Sequence, residues 1–257
     1  MKPLTSKLII MKNSLFLTLL FLVAFSPLSS QNSKQIPLIG SLAPSFTALS
    51  TNGELTFPND FGKSWKILFS HPKDFTPVCS SELLELAFLQ TELDQLNVKF
   101  AVISTDDISQ HNMWKAHLEE LDYKGRGKQK ILFPILEDPL KKASITYGML
   151  HAPTSTSRDI RGVFIIDPEN RIRSINFYPI EIGRNIAEIE RTIVALQTAD
   201  RTKMLMPANW NEGDDMMVPH FPYTQLDLAN NPDLVKEYYN VGNRMWFKKS
   251  GDKITSE

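Results

Sequence analysis

The pattern that most constrains this chain is the alternation of short apolar runs with helical periodicity between residues 66 and 196. Lys66–His71 (KILFSH) reads as a strand. A helical pattern follows over Ser80–Leu96, where Leu83, Leu86, Gln90, Leu93 and Leu96 recur at three- and four-residue spacing. Glu82, Glu85 and Glu92 are expected elsewhere on that helix, at the surface. Lys99–Thr105 (KFAVIST) predicts a second strand. Ser109–Leu121 predicts a second helix, with Ser109 as its cap. Ile131–Leu136 predicts a third strand, after which Asp138-Pro139 opens a short helix with Asp138 as N-cap. Gly162–Ile166 and Arg171–Tyr178 flank the turn-forming Asp167-Pro168-Glu169-Asn170 and read as a hairpin. A helix over Asn185–Leu196 places Ile186, Ile189, Ile193 and Leu196 on one face. Strands alternating with helices imply an α/β layered sheet, and the hairpin makes it mixed.

Two flanking regions fall outside that pattern. Met1–Ser30 carries Lys2, Lys7 and Lys12 and no acid, then the uncharged run Leu15–Phe25. Basic, apolar, then small and polar is the order of a secretory signal peptide. The run is shorter than the ~20 residues that a spanning helix needs, so stable membrane insertion after signal removal is not expected. Met11 offers an alternative start, and an uncleaved anchor is the competing reading. The expectation is export, periplasmic or secreted, with a mature chain from about Gln31. Losing the three lysines takes the formal charge from −1 to −4. At the other end, Met204–Pro222 lacks periodicity and Leu234–Phe247 is rich in Tyr, Trp and Phe. Such an arm has to be covered, by its own core or by a second subunit.

The 257 residues contain one cysteine, Cys79. It cannot form an intrachain disulfide, a CxxC dithiol pair or a cysteine-rich zinc site. The near-neutral charge gives no support for nucleic-acid binding. The five histidines show no metal-ligand spacing; His111 and His117, six apart, do not share a helix face. No GxGxxG or GxxxxGK[ST] motif is present.

Cys79 has an informative position. Thr76 is a good N-cap and Pro77 a good first helical residue, which puts Cys79 at N3. Unsatisfied backbone N–H groups and the positive end of the helix favour a thiolate there, the nucleophilic form. A small buried hydrophobe is the bland alternative for a lone cysteine.

The segment Pro72-Lys73-Asp74-Phe75-Thr76-Pro77-Val78-Cys79 resembles the PxxxTxxC signature of peroxiredoxins, thiol-dependent peroxidases with a thioredoxin-like fold. The wider stretch FSHPKDFTPVCSSEL is most similar to the 1-Cys branch. The resemblance implies that Cys79 attacks a peroxide oxygen and becomes a sulfenic acid. It implies that the Thr76 hydroxyl bonds peroxide and thiolate, and that Pro72 shields the sulfur. Arg161, rather than Arg158, matches the arginine that stabilises the thiolate. Arg184 resembles a second arginine near the pocket, unless it only caps the following helix. His71 matches the branch's histidine before the proline. The resemblance runs from about Leu38 to Phe247, as a thioredoxin-like domain over 36–197 and the branch's C-terminal domain over 198–250. That extension implies a homodimer.

No resolving cysteine exists, so the resemblance implies an external reductant (thioredoxin, glutathione, a similar thiol or ascorbate) and no bound cofactor. A redox sensor or chaperone on the same scaffold is the non-enzymatic alternative. Some animal members also carry a phospholipase Gly-x-Ser-x-Gly motif. Here the stretch is Gly62-Lys63-Ser64-Trp65-Lys66, with Pro58 or Asn59 and Glu169 at the partner positions, so that activity is not expected.

Overall fold

The structure, a computed structural model, describes residues 36–242 and 244–250. The segment read as a signal peptide lies outside the described residues. Among the described residues no helix is long and apolar enough to cross a membrane.

The strands are β1 (Phe46–Ser50), β2 (Gly53–Phe57), β3 (Trp65–Ser70), β4 (Val98–Ser104), β5 (Ile135–Glu137), β6 (Arg161–Ile166) and β7 (Ile172–Tyr178). They form one mixed sheet in the order β2-β1-β5-β4-β3-β6-β7. The pairs β3–β4 and β4–β5 are parallel, and β6 runs antiparallel to β3. The helices are α1 (Pro77–Gln95), α2 (Ile108–Glu119), α3 (Lys142–Thr146) and α4 (Ile186–Thr202). Strand side chains alternate between faces. Ile67, Phe69, Val102, Val163 and Ile165 join Leu83, Leu86, Trp114, Ile189 and Ile193 in one core. Leu68, Ala101, Ile103, Phe164 and Ile166 join Phe57, Ala143 and Tyr147 in the other. The two cores make this a layered α/β fold.

Several local expectations need correction. The second helix begins at Ile108, and Asp107 rather than Ser109 caps it, accepting from Gln110 N. The third strand is short, Ile135–Glu137 rather than Ile131–Leu136. Pro134 has no N–H for the ladder, and the preceding backbone is held instead by side chains, Ile131 N by Glu119 and Leu132 N by Gln90. The short helix starts at Lys142, later than Asp138-Pro139 suggests. Asp138 still acts as its anchor: its carboxylate accepts from Lys142 N and Ser144 N. The hairpin β1–β2 carries no signal in the sequence reading and is present in full register. The helix α4 passes through the 197/198 boundary drawn from the sequence.

After α4 the chain forms β8 (Met216–Met217), α5 (Gln225–Asn230), α6 (Pro232–Glu237), β9 (Tyr238–Val241) and β10 (Met245–Lys248). β8, β10 and β9 make a separate three-stranded sheet. Phe221 stacks on Trp246 at 3.6 Å, and Tyr239 stacks on Phe247 at 5.0 Å. These stacks cover part of the arm's apolar surface, while Leu226, Val235, Val241 and Met245 stay exposed.

Candidate active site

The site forms where the C-terminal end of β3 meets the start of β6. Antiparallel pairing, with Phe69 opposite Val163, brings Arg161 beside the loop that follows β3. Ser70 ties the two strands: its hydroxyl donates to Ile160 O at 2.7 Å and accepts from Gly162 N at 2.8 Å. A Cβ at Gly162 would lie 2.9 Å from that hydroxyl, so the close approach requires glycine. The loop His71–Thr76 includes Phe75 at φ 56, a left-handed conformation that costs a non-glycine residue roughly 1 kcal/mol or more.

Thr76 is the N-cap residue of α1 and Pro77 its first residue, which places Cys79 at N3. The Thr76 hydroxyl does not cap; it donates to Lys73 O at 2.9 Å. Its lone pairs stay available to a donor, while its proton is held by the loop. Cys79 is fully buried. Arg161 Nη1 lies 3.2 Å from Cys79 Sγ, placing a cation against the sulfur. That arginine is fixed from both sides, by Ile180 O at 2.7 Å from Nη2 and by Glu82 Oε2 at 2.7 Å from Nη1.

Glu82 overturns a sequence expectation. Its helical spacing predicts a place at the surface of α1, yet it is 2% exposed. Arg184 donates to it through its backbone N and Nε to Oε1, and through Nη2 to Oε2. Burial alone raises the Glu82 carboxyl, but the hydrogen bonds and charges of Arg184 and Arg161 outweigh it and hold it below the usual range. Glu82 lies three residues after Cys79, hence on the same helix face. That spacing is the signal that could have found it. Arg184 does not cap α4, since Asn185 does. Its Nη1 donates to Ser70 O and Gly162 O, and its guanidinium lies 3.2 Å from the Phe69 ring centre. Arg158 is exposed and takes no part in the cluster.

Pro72 is half-buried in the loop and His71 is fully buried behind it. Among the described residues, His71, Asp74 and Asp106 form a group whose potential metal-ligand atoms come within 4.8 Å of one another. Except for His71 Nδ1, which makes no hydrogen bond, this group is tied up in bonds within the protein. Asp74 accepts from His71 and His111, while Asp106 accepts from Asp74 N and Ser104 Oγ. Burial pushes the Asp74 carboxyl up, but the bonds from His111 and His71 prevail and hold it at about 2. Ser64, the serine of the incomplete lipase-like motif, donates to Asn97 Oδ1 at 2.7 Å.

A mixed sheet of this order, with one buried cysteine at a helix start against an arginine, defines a thiol-nucleophile enzyme on a thioredoxin-like scaffold. Residues 39–175 match the AhpC/TSA family, and residues 195–224 match the C-terminal domain of 1-Cys peroxiredoxin. The chain belongs to the AhpC/TSA family and is a peroxiredoxin, a thiol-dependent peroxidase. Among its relatives, a peroxiredoxin of Methanosarcina mazei is 45% identical over 72% of this chain and 84% of that protein. The mitochondrial peroxiredoxin PRX1 of Saccharomyces cerevisiae is 37% identical over 70% of each chain. Among solved structures, a yeast mitochondrial 1-Cys peroxiredoxin, studied for thiol resolution by glutathione and thioredoxin systems, covers 84% of this chain and 100% of its own. Its TM-score is 0.72 at 33% identity. Peroxiredoxin 6 of Arenicola marina gives 0.71 at 30% identity over 83% of this chain and 98% of that one.

Proposed function

We propose that Cys79 is the nucleophile of this peroxidase, acting without a partner cysteine and without a bound cofactor. The observation that carries the assignment is the 3.2 Å contact between Arg161 Nη1 and Cys79 Sγ at the first turn of α1. The thiolate attacks one peroxide oxygen, an S–O bond forms and the O–O bond breaks. The departing hydroxide or alkoxide takes a proton and leaves as water or alcohol. Arg161 counters the charge on sulfur and the charge developing on the departing oxygen. Glu82 and Arg184 hold Arg161 in place. Thr76 contributes its hydroxyl oxygen, and the role assigned to Pro72 is to shield the sulfur from water.

The sulfenic acid is then reduced from outside the chain. An external thiol attacks the sulfur, releases water and leaves a mixed disulfide, which a second thiol resolves. Supporting this reading are the single cysteine in the sequence and the likeness to a 1-Cys enzyme studied with glutathione and thioredoxin. Cys79 is fully buried, so a thiol bulkier than peroxide reaches it only when the first turn of α1 opens. A reductant screen under steady peroxide tests the assignment: thioredoxin or glutathione sustains turnover, and failure of every thiol contradicts it.

A homodimer and export complete the proposal. The exposed Ile180 and Ile182 and the C-terminal sheet leave apolar surface for a second copy; the lysines followed by Leu15–Phe25 support export. Sedimentation and the N-terminal sequence of the mature chain test them.

A further inference from the structure

His71, Asp74 and His111 form a buried unit whose protons can be counted. All three are at most 1% exposed. His111 Nε2 lies 3.1 Å from Leu136 O, a group that only accepts, so this nitrogen must bear hydrogen. His111 Nδ1 lies 2.7 Å from Asp74 Oδ2, and His71 Nε2 lies 2.7 Å from Asp74 Oδ1. Each contact needs one proton between its two atoms. Three protons therefore serve one carboxyl and two imidazoles, a closed neutral set; with Asp74 kept ionised by the bonds from His111 and His71, it consists of one anion, one doubly protonated ring and one neutral ring. Neutrality matters because an uncompensated buried charge is costly.

The same count leaves one atom without a partner. His71 Nδ1 is buried and makes no hydrogen bond. A fourth proton there would give the buried set a net positive charge. Burial opposes it, drawing His71 below its ordinary value although Asp74 and Asp106 favour the cation; His111 opposes it as well. The ring is also held by packing. Trp114 lies against it at 4.9 Å between ring centres and donates its Nε1 proton to Ser80 Oγ, on the residue that follows Cys79.

We propose that Asp74 and His111 are positioning residues that lock His71 in its Nε2–H tautomer, leaving Nδ1 as a bare acceptor fixed inside the catalytic loop. The carboxylate sets the tautomer, and the second imidazole keeps the carboxylate ionised. This inference deepens the peroxidase reading and rests on it for its bearing on turnover, but the tautomer itself can be read without turnover.

Imidazole nitrogen resonances of the reduced full chain, labelled with 15N-histidine, test the count directly. The expected spectrum gives His71 one protonated nitrogen, Nε2, and one unprotonated nitrogen, Nδ1. His111 shows both nitrogens protonated. A proton on His71 Nδ1, or an unprotonated nitrogen on His111, overturns the proposal. In Asp74→Asn the amide must donate to one ring and accept from the other, so one ring must change its protonation pattern. Unchanged resonances of both rings in a folded Asp74→Asn chain also overturn it. Positioning further predicts that stopped-flow oxidation of Cys79 by peroxide slows about 10²-fold in this variant, the low end of acid–base effects. An unchanged rate alongside an altered tautomer shows that the tautomer does not serve the reaction and removes the positioning role. Loss of peroxide turnover in Cys79→Ser tests the underlying reading separately.

Discussion

Arg161 meets Cys79 at 3.2 Å with the same Nη1 nitrogen that meets Glu82 at 2.7 Å. The cation at the sulfur is thus set by a carboxylate one helical turn away, and Glu82 is shared with Arg184. Replacing Glu82 by Gln leaves two buried guanidinium groups without their anion. Breaking such a buried set costs about 3–5 kcal/mol. The expected outcome is a clear fall in urea midpoint together with slower peroxide reduction; a wild-type melting curve contradicts the shared-carboxylate arrangement.

Arg161→Lys keeps the charge and loses the planar fork that reaches Cys79, Glu82 and Ile180 O together. The loss of an aligned donor at developing charge typically costs about 10²–10³-fold in rate. Single-turnover oxidation of Cys79 should slow by that order. A rate within twofold of wild type shows that charge alone suffices.

Asp159 is a buried acid whose two oxygens accept no well-formed hydrogen bond; Ser144 is a donor near it. Burial pushes its carboxyl up to about 8 from an ordinary 3.8; the Ser144 hydroxyl pulls the other way, and the charges of Asp138 and Asp106 add to the rise. Ser144, beside it, donates its hydroxyl to Asp138 at 2.7 Å. Between those two pH values the folded chain holds one proton more than the unfolded chain. This group therefore lowers stability as pH rises from about 4 to about 8, by ~1.4 kcal/mol per pH unit. Asp159→Asn removes that slope, so its stability relative to wild type should improve steadily across this window in urea melts. A pH-independent difference contradicts the buried protonated carboxyl.

Much of this arrangement is legible in the sequence because its signals are local. The cap at Thr76-Pro77 fixes Cys79 at N3, and the turn Asp167–Asn170 fixes the hairpin that carries Arg161. Glu82 is misread because an acid at helical spacing looks solvated; only the fold brings Arg161 and Arg184 to it from two distant segments. Asp74 and His111 stand 37 residues apart and meet only when α2 packs behind the catalytic loop. The C-terminal sheet escapes for a related reason: its strands are two to four residues long, too short for a period to appear. Asp107 outcompetes Ser109 as a cap because it sits one residue before the first helical position.

The central claim is that Cys79 alone carries the reaction and that its electrons come from outside the chain. Peroxide consumption by the purified protein, measured first without and then with added thiol, tests it most directly. The account predicts one peroxide consumed per chain without thiol, with a sulfenic acid trapped at Cys79, then continuous turnover on adding thiol and neither in Cys79→Ser. Sustained peroxide consumption by Cys79→Ser, or turnover without any thiol, contradicts it.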